Sequence, residues 1–129
     1  MNIYLIASAM AGIAAAAGHA YLGERHVLRP MFAHRGDNRV LGNPVSRRVI
    51  RWVWHLPSFA WAQIAAATMW FAIYPPAPGT GGIELLAFFG IGVYLTGAIA
   101  NFWAIRKIHI GNALLAFAAL ALALGLGWS

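Results

Sequence analysis

Residues 2–36, NIYLIASAMAGIAAAAGHAYLGERHVLRPMFAHRG, pass from a long apolar run into a dense polar tract. From Ile3 to Gly18 there is no charged residue, whereas His19, Glu24, Arg25, His26, Arg29, His34 and Arg35 crowd the stretch behind it. A hydrocarbon core about 30 Å thick needs about 20 apolar residues in helical form, so Asn2 to Leu22 reads as a membrane span ending at a polar edge. That edge is either a simple interfacial anchor or a ligand site built around His19.

Composition supports the membrane reading for the rest of the chain. The 129 residues are 61% hydrophobic and 9% charged, with a mean hydropathy of +0.68, well outside the range of ordinary soluble domains. The net charge of +6 does not point to nucleic acid, because all nine basic residues stand at the ends of apolar segments, where they serve topology. The absence of cysteine excludes disulfides, thiolate catalysis and Cys-ligated zinc or iron–sulfur centres.

Four segments are long and apolar enough to span: residues 2–22, 51–74, 83–105 and 108–127. The expected fold is an all-α integral membrane protein, a single four-transmembrane-helix bundle over residues 1–129. The basic residues orient it. Arg25, Arg29, Arg35, Arg39, Arg47, Arg48 and Arg51 lie between spans one and two or at their rim, and Arg106 and Lys107 lie between three and four. By the positive-inside rule both connectors are cytoplasmic, with both termini and the PPAPGTGG turn at residues 75–82 outside. Trp52, Trp54, Trp103 and Tyr21 then belong to an inner aromatic belt, and Tyr4, Trp70, Tyr74 and Trp128 to an outer one. The first span lacks a basic n-region and a good cleavage site, so it reads as retained rather than as a signal peptide.

The first connector, residues 23–50, contains a turn at Gly36, Asp37 and Asn38 and then a helix start. Asn43 is suited to cap that helix and Pro44 to its first position. Residues 44–56, with Arg47, Arg48 and Arg51 on a polar side, are expected to form an amphipathic extension that meets anionic lipid.

Helices rise about 1.5 Å per residue, which places His19, His55, Asn101, His109 and Asn112 within about 3–8 Å of the same rim. Each span thus contributes a polar group to one layer. Ionisable residues at such depth are functional-site candidates by default. His19, His55 and His109 are candidate ligands of a b-type haem or a transition-metal ion, with Asn101 and Asn112 as hydrogen-bonding support and Arg51 placed to meet haem propionates. Glu24 has two readings. If Gly23 ends the helix, the chain can fold back and Glu24 joins His19 as a metal ligand. If the helix continues, Glu24 points about 140° away from His19 and becomes an ion-pair residue for Arg25, Arg47, Arg48 or Arg51. Pro57 leaves the carbonyl of Val53 without a helical partner, and Ser58 shares a face with His55. His26 and His34 fall outside the layer.

At GHAYLGER, WHLPSFAW and RKIHIGN the chain resembles short four-span bacterial membrane proteins with a similar His, Leu-Gly-Glu and Trp-His-Leu arrangement. The resemblance covers nearly the whole chain. It implies a bacterial inner-membrane origin and a four-helix fold, but no activity and no functional residues. Three functions follow as expectations: a haem or metal protein, a non-catalytic accessory subunit of a membrane complex, and a small proton-coupled transporter. The last lacks the acid midway along span one that small multidrug transporters carry.

Overall fold

A computed structural model of the protein describes residues 2–34, 38–77 and 81–126. Arg35, Gly36 and Asp37 of the first connector, Pro78 of the second turn and Trp128 of the expected outer belt lie outside the described residues. The described chain is helical: α1 (Ile3–Gly23), a π-helical turn (Glu24–Leu28), α2 (Arg29–Ala33), α3 (Arg39–Gly42), α4 (Pro44–Ile73), α5 (Gly82–Ile105) and α6 (Ile110–Leu126). Three helical stretches, Ile3–Ala33, Pro44–Ile73 and Gly82–Ile105, are long and apolar enough to cross a membrane, and Ile110–Leu126 is a shorter apolar helix.

The helix ends follow local chemistry. The Asn2 side chain accepts from the backbone N–H groups of Tyr4 and Leu5 at the start of α1 and donates to the carbonyl of Gly125 at 2.8 Å, tying that end of α1 to α6. Asn43 caps α4 by accepting from Val45 N–H at 2.8 Å, and Pro44 fills the first helical position, where a missing N–H costs nothing. The α5–α6 turn closes at Arg106, whose φ of 58° is left-handed.

The long helices surround a core of small residues. α1 packs chiefly against α4 and α6, and α5 packs chiefly against α6 with a lesser contact to α4. Ala9, Ala65, Ala118 and Leu122 are fully buried, and Tyr94 fills the centre. Tyr94 requires Gly12 opposite it, because a Cβ there would collide with the phenol oxygen and would lie 2.9 Å from Cζ. Two buried polar side chains bond across helices: Ser8 Oγ donates to the Ala118 carbonyl at 2.7 Å, and Asn112 Nδ2 to the Ala98 carbonyl at 2.9 Å. These bonds tie α6 to α1 and to α5.

The first connector differs from its expected form. Gly23 does not end the helix; the chain continues through the π turn to Ala33. The Arg29 N–H bonds the Glu24 carbonyl, an i→i+5 closure that sets Arg29 beneath Glu24. In an α-helix those residues would point about 140° apart. The register change lets the polar tract stay helical by pairing its charges.

Candidate functional site

The expected polar layer divides into two separate arrangements. The first lies between α1 and α4. His19 leaves α1 one turn before Gly23, and its ring stacks on Trp54 with centroids 5.3 Å apart and meets Trp61 edge-on at 5.2 Å. Its Nδ1 is hydrogen-bonded to Ser58 Oγ at 2.9 Å. Trp54 can approach because position 23 is glycine: a Cβ on Gly23 would collide with the indole Nε1. Two aromatic rings and a hydroxyl therefore fix the imidazole plane. Nε2 makes no hydrogen bond among the described residues.

One turn further toward the arginine-rich end, Glu24 faces α4. Its Oε1 lies 3.1 Å from Arg51 Nη2 and 3.5 Å from Arg29 Nε, and its Oε2 lies 3.7 Å from His55 Nε2. Oε2 is buried and accepts no hydrogen bond among the described residues. Of the two sequence readings of Glu24, the ion-pair one describes the contacts, with Arg51 from the expected set and with Arg29 and His55 in addition. Arg51 also stands over the Phe32 ring at 5.3 Å, so the same guanidinium fastens the first helix to α4 twice. Arg25 is bonded instead to Tyr21 Oη at 2.7 Å, one turn back on its own helix.

The wall of this cluster opens into a groove of about 400 Å³, lined by His19, Val49, Ile50, Val53, Trp54 and Pro57. Apart from His19 the lining is hydrocarbon and indole. Pro57 lies two turns before Ile64, whose side chain meets Gly90 of α5, so the groove occupies the α5 side of α4 near its arginine-rich end. Pro57 leaves the Val53 carbonyl without its helical donor in the groove wall.

The second arrangement belongs to the α5–α6 turn. His109 N–H donates to Asn112 Oδ1 at 3.2 Å, and His109 Nδ1 accepts from Gly111 N–H at 3.0 Å. The ring is thus folded onto the start of its own helix, and Nε2 is buried with no hydrogen-bond partner among the described residues. Asn112 is spent on joining α6 to α5, while Asn101 is half-buried on α5. Among the described residues there is no group of three or more His, Asp or Glu side chains arranged to hold a metal ion. The structure brings His19, Glu24, Arg51 and His55 to one boundary and engages His109 elsewhere.

Trp54, Trp61 and Ser58 form the cage around His19. Ser58 was visible as a neighbour of His55, and Trp54 as a belt residue; neither spacing indicates that both serve His19 on another helix. Trp61 carries no local signal beyond its size. No family model, curated protein or solved structure matches the chain, so the site is defined by its own geometry.

Proposed function

We propose that the protein is a four-span protein of a bacterial inner membrane, with both termini outside, and that its α1–α4 groove binds a lipid-soluble molecule by that molecule's polar head. The His19 ring carries this reading. It is held by Ser58, Trp54 and Trp61, Nε2 makes no hydrogen bond among the described residues, and His19 lines a groove that is otherwise hydrocarbon and indole. Imidazole supplies one donor or one acceptor at Nε2 according to its tautomer, which suits a carbonyl or hydroxyl head, and Val49, Ile50, Val53 and Pro57 suit its hydrocarbon tail. Glu24 and His55 lie beyond His19 on the arginine-rich side, so the head would sit close to groups able to exchange protons.

A b-type haem or a transition-metal ion draws less support from these donors. Among the described residues no three His, Asp or Glu side chains are arranged to hold a metal ion, and His109 is folded onto the α5–α6 turn, apart from the contacts of His19 and His55. The exposed Arg39 and Arg48 support contact with anionic lipid at the rim.

Titration of the detergent-solubilised protein with a decyl-tailed benzoquinone and, separately, with a long-chain fatty acid, read by native mass spectrometry, tests the site and separates two sources of a carbonyl head. One equivalent of one probe binds. Val53→Trp fills the groove and abolishes binding, and His19→Ala weakens it by roughly tenfold, the value of one hydrogen bond. Equal binding by wild type and Val53→Trp would remove the site.

A further inference from the structure

The outer face of α4 carries an anomaly. Leu56, Phe59, Gln63, Ala66, Trp70 and Ile73 follow one another at alternating steps of three and four residues, and all are exposed. This is the spacing of a helix-pairing seam, and five of its six members are apolar. Gln63 is the exception. It stands twelve residues beyond Arg51 and ten before Ile73, about 18 Å along the helix from the arginine-rich rim, which is the middle of a bilayer if α4 spans one. Its amide is exposed and makes no hydrogen bond among the described residues.

Polar side chains at that depth face a bundle interior or a partner, because hydrocarbon offers an amide nothing to bond. Thr96, also exposed near mid-span on α5, does not raise the same problem, since a threonine hydroxyl can bond the carbonyl one turn back on its own helix. The longer glutamine amide carries two donors and an acceptor with two lone pairs. It is self-complementary: two copies related by a two-fold axis can each donate to the other. Ala60, Ala66 and Ala67 surround Gln63 on the helix, so two α4 backbones can approach closely enough for amides to meet.

We propose that α4 pairs with α4 of a second copy along the Leu56–Ile73 seam, with the two Gln63 amides hydrogen-bonded to each other at the centre. A single polar residue in an otherwise apolar seam fixes register and number of strands. The pair is a dimer with isologous contacts. The groove opens on the α5 side of α4 and stays accessible. The inference rests on α4 spanning the membrane.

The chain has no cysteine, so single-cysteine variants can be read directly. In liposomes, oxidative cross-linking of Phe59→Cys, Ala66→Cys and Trp70→Cys, each with Gln63 in place, yields covalent dimers, and Ile99→Cys on the outer face of α5 does not. Energy transfer between donor- and acceptor-labelled protein, measured as lipid is added, gives the dissociation constant. Gln63→Leu raises it at least tenfold, and Gln63→Asn, which retains the amide, raises it less. Gln63 is exposed in the monomer, so the variants are expected to fold, as near-ultraviolet circular dichroism of the buried Trp61 and Tyr94 checks. Cross-linking at position 99 as efficient as at 66, or an unchanged constant for Gln63→Leu, overturns the proposal. A wild-type protein that is monomeric at every lipid ratio also overturns it and assigns Gln63 to a different membrane subunit. Release from liposomes by alkaline carbonate would instead refute the spanning of α4, so the two failures are distinguishable.

Discussion

The Glu24 carboxylate and the Arg51 guanidinium meet across the boundary between the first long helix and α4, with 3.1 Å between Oε1 and Nη2. Arg51 is half exposed and Glu24 about one quarter exposed, which discounts the pair toward the surface end of the ion-pair range. Replacing Glu24 with Gln is expected to cost about 1 kcal/mol, and Arg51→Met about the same. Because the two act on one contact, the double variant should lose less than the sum. Thermal unfolding in detergent, followed as a double-mutant cycle, measures this. Strict additivity would show that the contact contributes nothing.

Gly12 and Gly18 lie on one helix and make opposite predictions. A Cβ at Gly12 would overlap the Tyr94 hydroxyl and sit 3.1 Å from Ala65 Cβ, whereas nothing lies within 4 Å of one at Gly18. Gly12→Ala is expected to destabilise the bundle by about 1–3 kcal/mol through overpacking. Gly18→Ala should be neutral or stabilising by up to about 1 kcal/mol through helix propensity. Melting midpoints of the two variants that move the same way would contradict the close approach of Tyr94 to Gly12.

Asn112 bonds two elements at once, accepting from His109 N–H and donating to the Ala98 carbonyl. Its removal breaks the bond from α6 to α5 and the one to the start of its own helix, so Asn112→Ala is expected to cost about 1–2 kcal/mol. His109→Ala loses only a bond within the turn and should cost less. A calorimetric comparison decides the order, and a larger loss for His109 would point to a role for its imidazole beyond the turn.

Much of the architecture is written in the chain because bilayer length and backbone satisfaction demand long apolar segments. Asn43 and Pro44 mark a helix start by their own chemistry, and α4 begins there. The continuation past Gly23 was not legible in the same way. The sequence leaves open whether Gly23 ends the helix, and the structure continues it through an i→i+5 closure with Glu24 paired to Arg51 on another helix, a contact that local spacing does not indicate. Depth could be counted from sequence, which is why His19 and His55 stood out as members of one layer. Rotation about the helix axis, and the direction of a ring at a turn, could not. His109 counts to the same expected depth but folds back onto Gly111.

Membrane sidedness tests the account most directly, because it fixes the number of crossings and the side on which His19 and Glu24 lie. α6 is described over 17 residues, about 26 Å at the helical rise, close to the shortest length that spans a bilayer. Single cysteines placed at Arg39, Pro76, Arg106 and Ser129 can be probed in intact bacterial cells with a membrane-impermeant maleimide. The expected result is labelling at positions 76 and 129 from outside, with labelling at 39 and 106 only after the membrane is opened. Shielding of position 76, or positions 129 and 106 on the same side, would contradict the four-span topology.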